Sequence, residues 1–274
     1  MNVLALVLLW VVAAASPFFG AGVHELSARD FTDRVLYSGN ATAVVFYAPW
    51  CGYCRKLIPE WGAAAKQLAG LARVAAVNCD DDGNKQLCAK YGVQGFPTIK
   101  VFQPAKLTDK DFARAQDGHA LPKRRPKVFS YDGPREGAGI SKFVLGNLRN
   151  YVTALGAEDV PQWLTPQPVP RVLILPGTKY TSSRASALFR VLSRDYFGTA
   201  RFATVPRTAK QLGLKPSDES QLVFVGQNGV VPYKGALKKK QVKAFLDKQL
   251  QGEQHDAKEQ HDAKEEQHDA KEEL

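Results

Sequence analysis

The stretch Val44-Val45-Phe46-Tyr47-Ala48-Pro49-Trp50-Cys51-Gly52-Tyr53-Cys54-Arg55-Lys56 decides how the rest of the chain is read. The apolar, β-branched residues from Ala43 to Phe46 predict a buried strand. A helical pattern starts at the first cysteine and runs to about Leu68, with Pro59 inside it, where a kink is expected. A strand that turns straight into a helix puts Cys51 at the helix N-terminus, where free amide N–H groups and the helix dipole favour negative charge. The thiolate is the reactive form of cysteine, so this placement lowers the pKa of Cys51 and makes it a nucleophile. Cys54 follows one turn later, close enough to close a disulfide with Cys51. The pair is a dithiol/disulfide switch.

Outward from this stretch, strands and helices alternate, which predicts an α/β fold. Val74–Asn78 and Thr98–Phe102 read as buried strands and Val128–Tyr131 as a short one. Ile140, Phe143, Val144, Leu148, Tyr151 and Val152 recur at helical spacing and close a first domain. Between Phe102 and Val128 lies a polar insertion, residues 103–127, ending in Lys123-Arg124-Arg125-Pro126-Lys127. It is expected to project from the surface as a solvated loop, with binding of an acidic partner by its four positive charges as the alternative. Pro161, Pro166, Pro168 and Pro170 mark a linker. A second unit follows, with strands at Val172–Leu175 and Phe202–Val205 and an amphipathic helix near Ser183–Tyr196. Gln221–Val225 and Val230–Tyr233 flank Gly226-Gln227-Asn228-Gly229, a hairpin signal, and Lys238–Leu250 reads as a last helix. This unit contains no cysteine and has no thiol chemistry of its own.

At 274 residues, one or two domains are expected, and 45% hydrophobic content suits a chain with a real core. The net charge of +10 is uneven: residues 253–274 carry −6, leaving +16 on the remainder. A basic body raises the possibility of nucleic acid; the ends of the chain argue against it. The apolar run from Leu4 to Ala15 leads into Ala13-Ala14-Ala15-Ser16-Pro17, which resembles a secretory signal peptide cut after Ala15. The last residues, Lys271-Glu272-Glu273-Leu274, resemble the Lys-Asp-Glu-Leu retrieval signal of the endoplasmic reticulum. No other segment is long and apolar enough to span a bilayer. Asn40-Ala41-Thr42 is a glycosylation sequon, so Asn40 is a candidate acceptor. Three repeats of Gln-His-Asp-Ala-Lys-Glu fill Gln254 to Glu273 without a hydrophobic face. They read as a solvated spacer presenting the terminal signal rather than as a metal site of His255, His261 and His268.

Phe46-Tyr47-Ala48-Pro49-Trp50-Cys51-Gly52-Tyr53-Cys54, together with Tyr91-Gly92-Val93-Gln94-Gly95-Phe96-Pro97-Thr98, resembles the thioredoxin fold of the protein disulfide isomerase family. Val74–Asp80 and Leu87–Tyr91 look particularly like the small fungal members with a single redox domain. The implied architecture is a signal peptide (1–15), a redox-active thioredoxin-like domain (23–155), a Pro-rich linker (156–170), a redox-inactive thioredoxin-like domain (171–250) and an acidic tail (251–274). The resemblance makes Cys51 the attacking thiolate, Cys54 the resolving thiol and Pro97 a cis-proline facing the disulfide. Phe96 would offer backbone groups to an extended substrate, with Trp50 and Tyr53 flanking the site. Arg135 would match the arginine that swings toward the second cysteine, where its charge favours the thiolate.

Three departures from the family pattern stand out. Tyr53 replaces the usual histidine between the cysteines, which removes a cation and predicts a less oxidising switch. Bacterial periplasmic disulfide isomerases also use Cys-Gly-Tyr-Cys, so isomerisation stays open. Val45 stands where many members carry a buried Glu that relays the proton of the second cysteine, and Ala76 stands in place of its Lys partner. Only one redox site is present. Cys79 and Cys88, in an oxidising lumen, are expected to form a structural disulfide; a second redox-active pair is the alternative. A four-cysteine zinc site is disfavoured because the spacing lacks a second Cys-x-x-Cys.

The expected activity is formation, reduction and rearrangement of protein disulfides in the endoplasmic reticulum lumen, with no metal or organic cofactor. The expected partners are unfolded or misoxidised secretory proteins, a lumenal thiol oxidase, glutathione and the retrieval receptor. A monomer without nucleic acid is expected. The rival reading is a chaperone-like holdase whose redox activity is secondary.

Overall fold

The computed structural model describes residues 19–20, 22–177, 184–205 and 220–253. The expected signal peptide, the repeats and the last four residues lie outside them. Among the described residues no helix is long and apolar enough to cross a membrane.

The first unit runs β1 (His24–Glu25), α1 (Ala28–Phe31), β2 (Thr42–Tyr47), α2 (Gly52–Leu68), β3 (Arg73–Asn78), α3 (Lys85–Lys90), β4 (Thr98–Gln103), α4 (Asp109–Gln116), β5 (Lys127–Ser130) and α5 (Gly137–Gly146). Its sheet has the order β1-β3-β2-β4-β5. The first three strands are parallel, and β4 and β5 are added antiparallel. All six residues of β2 are buried, because it is the central strand with helices on both faces. Strand alternation divides them: Ala43, Val45 and Tyr47 join Leu57, Trp61, Ile140 and Val144 in one core. Val44 and Phe46 join Phe31, Val77 and Phe102 in the other. Helix α2 runs unbroken through Pro59. It meets α5 closely at Gly137, where an added Cβ would lie 2.9 Å from the Glu60 carbonyl. The Gly137 amide donates to the Glu60 carboxylate at 2.7 Å, giving the α5 N-terminus an acceptor.

The second unit contains β6 (Val152–Ala154), α6 (Val160–Leu164), β7 (Arg171–Leu175), α7 (Arg184–Asp195), β8 (Arg201–Thr204), β9 (Gln221–Gly226), β10 (Gly229–Pro232) and a closing helix over 239–253. Its sheet, read from β6, has the order β6-β8-β7-β9-β10, with β6, β8 and β7 parallel and β9 and β10 antiparallel. The first, third, second, fourth and fifth strands thus lie side by side in the same senses in both sheets. The chain carries two thioredoxin-like folds in series. Gly226 pairs with Gly229 across a two-residue turn, and Gly229 has φ +111°, a conformation other residues avoid.

Two expectations change here. The helical spacing read through Val152 stops earlier: α5 ends at Gly146, and Val152 opens β6, parallel to β8. The β-branched Val152-Thr153 pair suits a strand, and β8 supplies its hydrogen bonds. The second unit therefore starts about twenty residues before Arg171, at the first strand a 1-3-2-4-5 sheet requires. The proline-rich segment expected as a linker holds α6, with a proline in its first turn and Val160 buried beside Leu173 and Val223.

The insertion does not simply project. Thr108 and Asp111 form a capping box that starts α4. Leu107 and Phe112 are buried. Arg124, from the basic run, holds Asp111 with two hydrogen bonds of 2.7 and 2.9 Å. Phe112 meets Phe197 edge-on at 5.2 Å, and the Arg201 guanidinium stacks over Phe112 at 3.8 Å while pairing with Asp109 at 3.0 Å. The insertion is a bracket to the second unit, because Leu107 and Phe112 need cover from water. A shared core of Ala41, Leu71 and Leu148 with Leu188, Val191 and Leu192 adds to this seam.

Candidate active site

The site forms where β2 ends and α2 begins. The chain leaves the sheet at Tyr47, turns through Ala48-Pro49-Trp50, and the Cys51 amide donates back to the Ala48 carbonyl at 3.1 Å. Cys51 is the N-cap of α2, with extended backbone, and its sulfur accepts the Cys54 amide at 3.4 Å. The same sulfur lies 3.5 Å from the carbonyl of Phe96, and the Phe96–Pro97 peptide is cis. Both cysteines are free thiols; Cys51 retains 8% exposure and Cys54 none. A substrate can therefore reach Cys51 before it can reach Cys54.

The two thiols are electrostatically unequal. Burial alone would raise Cys51, but the Cys54 thiol, the amides of Cys54 and Tyr53 and the charge of Arg135 outweigh it, so Cys51 lies below the usual cysteine value. Burial, the bond to Cys51 and its charge push Cys54 up to about 12, against the opposing pull of the Ala48 backbone and Arg135. Cys51 is thus the more readily ionised thiol of the pair, and Cys54 the one that holds its proton.

The structure gathers the residues singled out in the sequence around this pair. Arg135 reaches the Pro97 carbonyl at 3.5 Å. The Trp50 indole N–H donates to Asp80 at 2.9 Å, and its ring stands edge-on to Phe96 at 5.9 Å. Trp50 and Tyr53 are 63% and 68% exposed, which makes an aromatic rim around a mostly covered sulfur. Lys56 sits 5.8 Å from the centre of the Tyr53 ring. Cys79 and Cys88 are joined by a disulfide that ties the end of β3 to α3, next to Asp80. Asn40 lies elsewhere: it is exposed just before β2, at the opposite end of that strand and about 20 Å from the thiols at strand spacing. The terminal residues Lys271, Glu272, Glu273 and Leu274 lie outside the described residues.

The positions left by the missing Glu and Lys are direct neighbours, since Val45 of β2 faces Ala76 of β3. Both are fully buried, so the two departures replace one another's partner and leave no lone charge. Across β3, Ala76 is paired in turn with Glu25 of β1. The Tyr47 hydroxyl donates to the Glu25 carboxylate at 2.9 Å. Burial raises the pKa of Glu25, and the bond from Tyr47 offsets part of that rise. Glu25, Tyr47 and Asp80 were not singled out from the sequence. A two-residue strand, His24-Glu25, carries no periodic signal; the alternation of Val45 and Tyr47 did hold a clue, since it turns the phenol to the face behind Cys54.

A profile of the thioredoxin family, described as "Thioredoxin", matches residues 22–124. Protein disulfide-isomerase MPD1 of Saccharomyces cerevisiae is 36% identical over 208 residues, 72% of this chain and 61% of that protein. Protein disulfide isomerase-like 2-3 of Oryza sativa subsp. japonica is 44% identical over 118 residues, 41% of this chain and 26% of that one. The chain thus spans less than two thirds of these relatives. The crystal structure of full-length ERdj5 superposes with a TM-score of 0.53 at 20% identity, covering 84% of this chain and 33% of that one, which is a likeness of fold. The thioredoxin profile, the repeated strand order and these relatives make the chain a thioredoxin-fold protein similar to the protein disulfide isomerases.

Proposed function

We propose that the chain is a protein thiol–disulfide oxidoreductase that forms, reduces and rearranges disulfides in proteins folding in the endoplasmic reticulum lumen. The observation that carries the reading is the placement of Cys51. Its sulfur caps α2, lies 3.5 Å from the Phe96 carbonyl beside cis Pro97, and has a buried resolving thiol one turn behind it. The Cys51 thiolate attacks a substrate disulfide, forming a mixed disulfide and releasing one substrate thiolate. Attack by a substrate thiol on that intermediate rearranges the substrate. Attack by Cys54 instead closes Cys51–Cys54 and leaves the substrate reduced. Run backwards, the Cys51–Cys54 disulfide oxidises a substrate dithiol. The Trp50 and Tyr53 rim gives a partly unfolded client apolar contact, and the Phe96 backbone carbonyl beside the Cys51 sulfur suits an extended segment. The lumenal site rests on the two terminal signals of the sequence, and reoxidation would fall to a lumenal thiol oxidase or oxidised glutathione.

Turnover of a scrambled disulfide substrate by the Cys51→Ser variant is the test. The expected result is loss of essentially all turnover with folding unchanged. Full activity in the variant sinks the reading. Suppression of client aggregation that survives the substitution, with negligible wild-type turnover, would instead identify a holdase, a role for which the cysteine-free second unit supplies a surface.

A further inference from the structure

The acceptor sequence Asn40-Ala41-Thr42 has no place in the thiol chemistry, and the fold treats its two ends oppositely. Gly39, in the left-handed region at φ +72°, turns the chain just before it, and Asn40 is exposed. The Asn40 amide donates to the Ser38 hydroxyl at 3.3 Å, and its carbonyl accepts from the Thr42 hydroxyl at 3.4 Å. The backbone is anchored while the side chain stays accessible. Thr42 is fully buried as the first residue of β2, paired with Arg73 of β3 on one side and Phe102 of β4 on the other.

Asn40 also lines a cleft of about 210 Å³ between the two units. His24 and residues 70–73 form one side of it, and Lys239 of the closing helix forms the other. The two sides are in close approach: a Cβ added to Gly70 would stand 3.8 Å from Lys239, and Asp195 holds the Lys239 ammonium at 2.8 Å. No acidic side chain lines the cleft, whereas His24, Arg73 and Lys239 offer it N–H donors. Burial first, and then the charge of Arg34, disfavours the Arg73 cation, so an oxygen acceptor in the cleft would relieve it.

We infer that Asn40 carries an N-linked glycan, attached before β2 pairs, and that its first sugar settles in this cleft between the units. This rests on the lumenal reading above. The acceptor sequence is read through its threonine as well as its asparagine, and in the folded chain Thr42 is sealed. Arg73 and Phe102 lie later in the sequence, so Thr42 emerges from synthesis before the strands that bury it. In the step, the Asn40 side-chain nitrogen attacks C1 of the first sugar of a lipid-linked oligosaccharide diphosphate. The N–C1 bond forms, the bond from C1 to the diphosphate oxygen breaks, and its electron pair leaves with the lipid diphosphate. The amide proton passes to the transferase and on to solvent; nothing is oxidised or reduced. The sugar's hydroxyl and N-acetyl oxygens then meet the donors of the cleft. Asn40 stands at the end of β2 opposite Cys51, so the glycan leaves the path of a client to the thiols open.

The full chain is translated in the presence of microsomes as wild type, Asn40→Gln and Thr42→Ser. The expected result is one glycosidase-sensitive mobility shift in wild type and Thr42→Ser, lost in Asn40→Gln, with turnover of a scrambled disulfide substrate unchanged. Glycosidase treatment should convert Asn40 to aspartate, read by peptide mass; this wild-type measurement carries the test if Asn40→Gln folds poorly. Protein folded first and then offered to opened microsomes should gain no glycan. After trimming to a single sugar, acetylation of Lys239 should be slowed relative to Asn40→Gln, while that of Lys248, exposed on the same helix, should not change. Protein protected inside the microsome but unshifted overturns the glycan and leaves the lumenal reading standing. Protein that stays outside overturns the lumenal reading and the glycan with it. Glycosylation of the folded protein overturns the order of events, and unaltered Lys239 labelling overturns the seat in the cleft.

Discussion

Tyr53 shows how a single side chain sets the poise of the site. Its side chain is exposed and supplies no cation, so the lowering of Cys51 comes from the Cys54 thiol, the amides of Cys54 and Tyr53 and the charge of Arg135, without help from the Tyr53 side chain. Replacing it with histidine adds a group that can be cationic next to the thiolate. The expected outcome of Tyr53→His is a lower midpoint in the pH titration of Cys51 alkylation. The reduction potential in glutathione buffers should rise by about 30 mV for each pKa unit, moving toward the isomerase value of about −180 mV and away from the thioredoxin value of about −270 mV. An unchanged potential would mean that Tyr53 does not govern the thiolate. At this scale much of the site was legible in the sequence, because Cys51, Cys54, Trp50 and Tyr53 are near neighbours in one motif and Phe96-Pro97 sits in a second. Glu25 and Asp80 were not, because strand register and a loop bring them in from 20 or more residues away and no local pattern announces that.

The elements repeat the lesson with the insertion. Its polar composition hid a helix whose Phe112 is buried, as is Leu107 just before its cap, and whose Asp111 is clasped by Arg124. The Arg124 guanidinium and the Thr108 cap hold the Asp111 carboxyl well below the usual range. A depressed folded-state pKa adds stability that is fully present above the unfolded value near 3.9 and is lost as pH falls below it. Asp111→Asn should therefore destabilise the protein at pH 7, and the gap to wild type should narrow as pH drops below about 4. Urea unfolding at pH 7 and at pH 3 measures it; a gap that does not depend on pH would show that the ion pair carries no folding free energy. The α5 boundary failed for a related reason. Val152 continues the apolar spacing of the helix, yet its partner Phe202 lies 50 residues away on β8, and pairing decided its state.

Across the whole molecule, two sheets of one topology are fastened by the insertion and a shared core. Phe112→Ala removes the ring that fills the seam between Phe197 and Arg201. It should cost about 3 kcal/mol and split a single calorimetric unfolding transition into two, one for each unit; a single, barely shifted transition would mean the units are not coupled there. The first unit was read from its motifs. The second was visible only as a strand–helix rhythm, because its opening strand is three residues long and its prolines imitate a linker. The placement of the three tryptophans among the described residues has an optical consequence. Trp61 is sealed in the first core, Trp163 packs against Arg171 in the second unit, and Trp50 stands in solvent beside Cys51. Their emission reports three regions at once: a dissolved quencher reaches Trp50 first, Trp61 brightens or fades only with unfolding, and light from the rim changes whenever the neighbouring sulfur changes its bond.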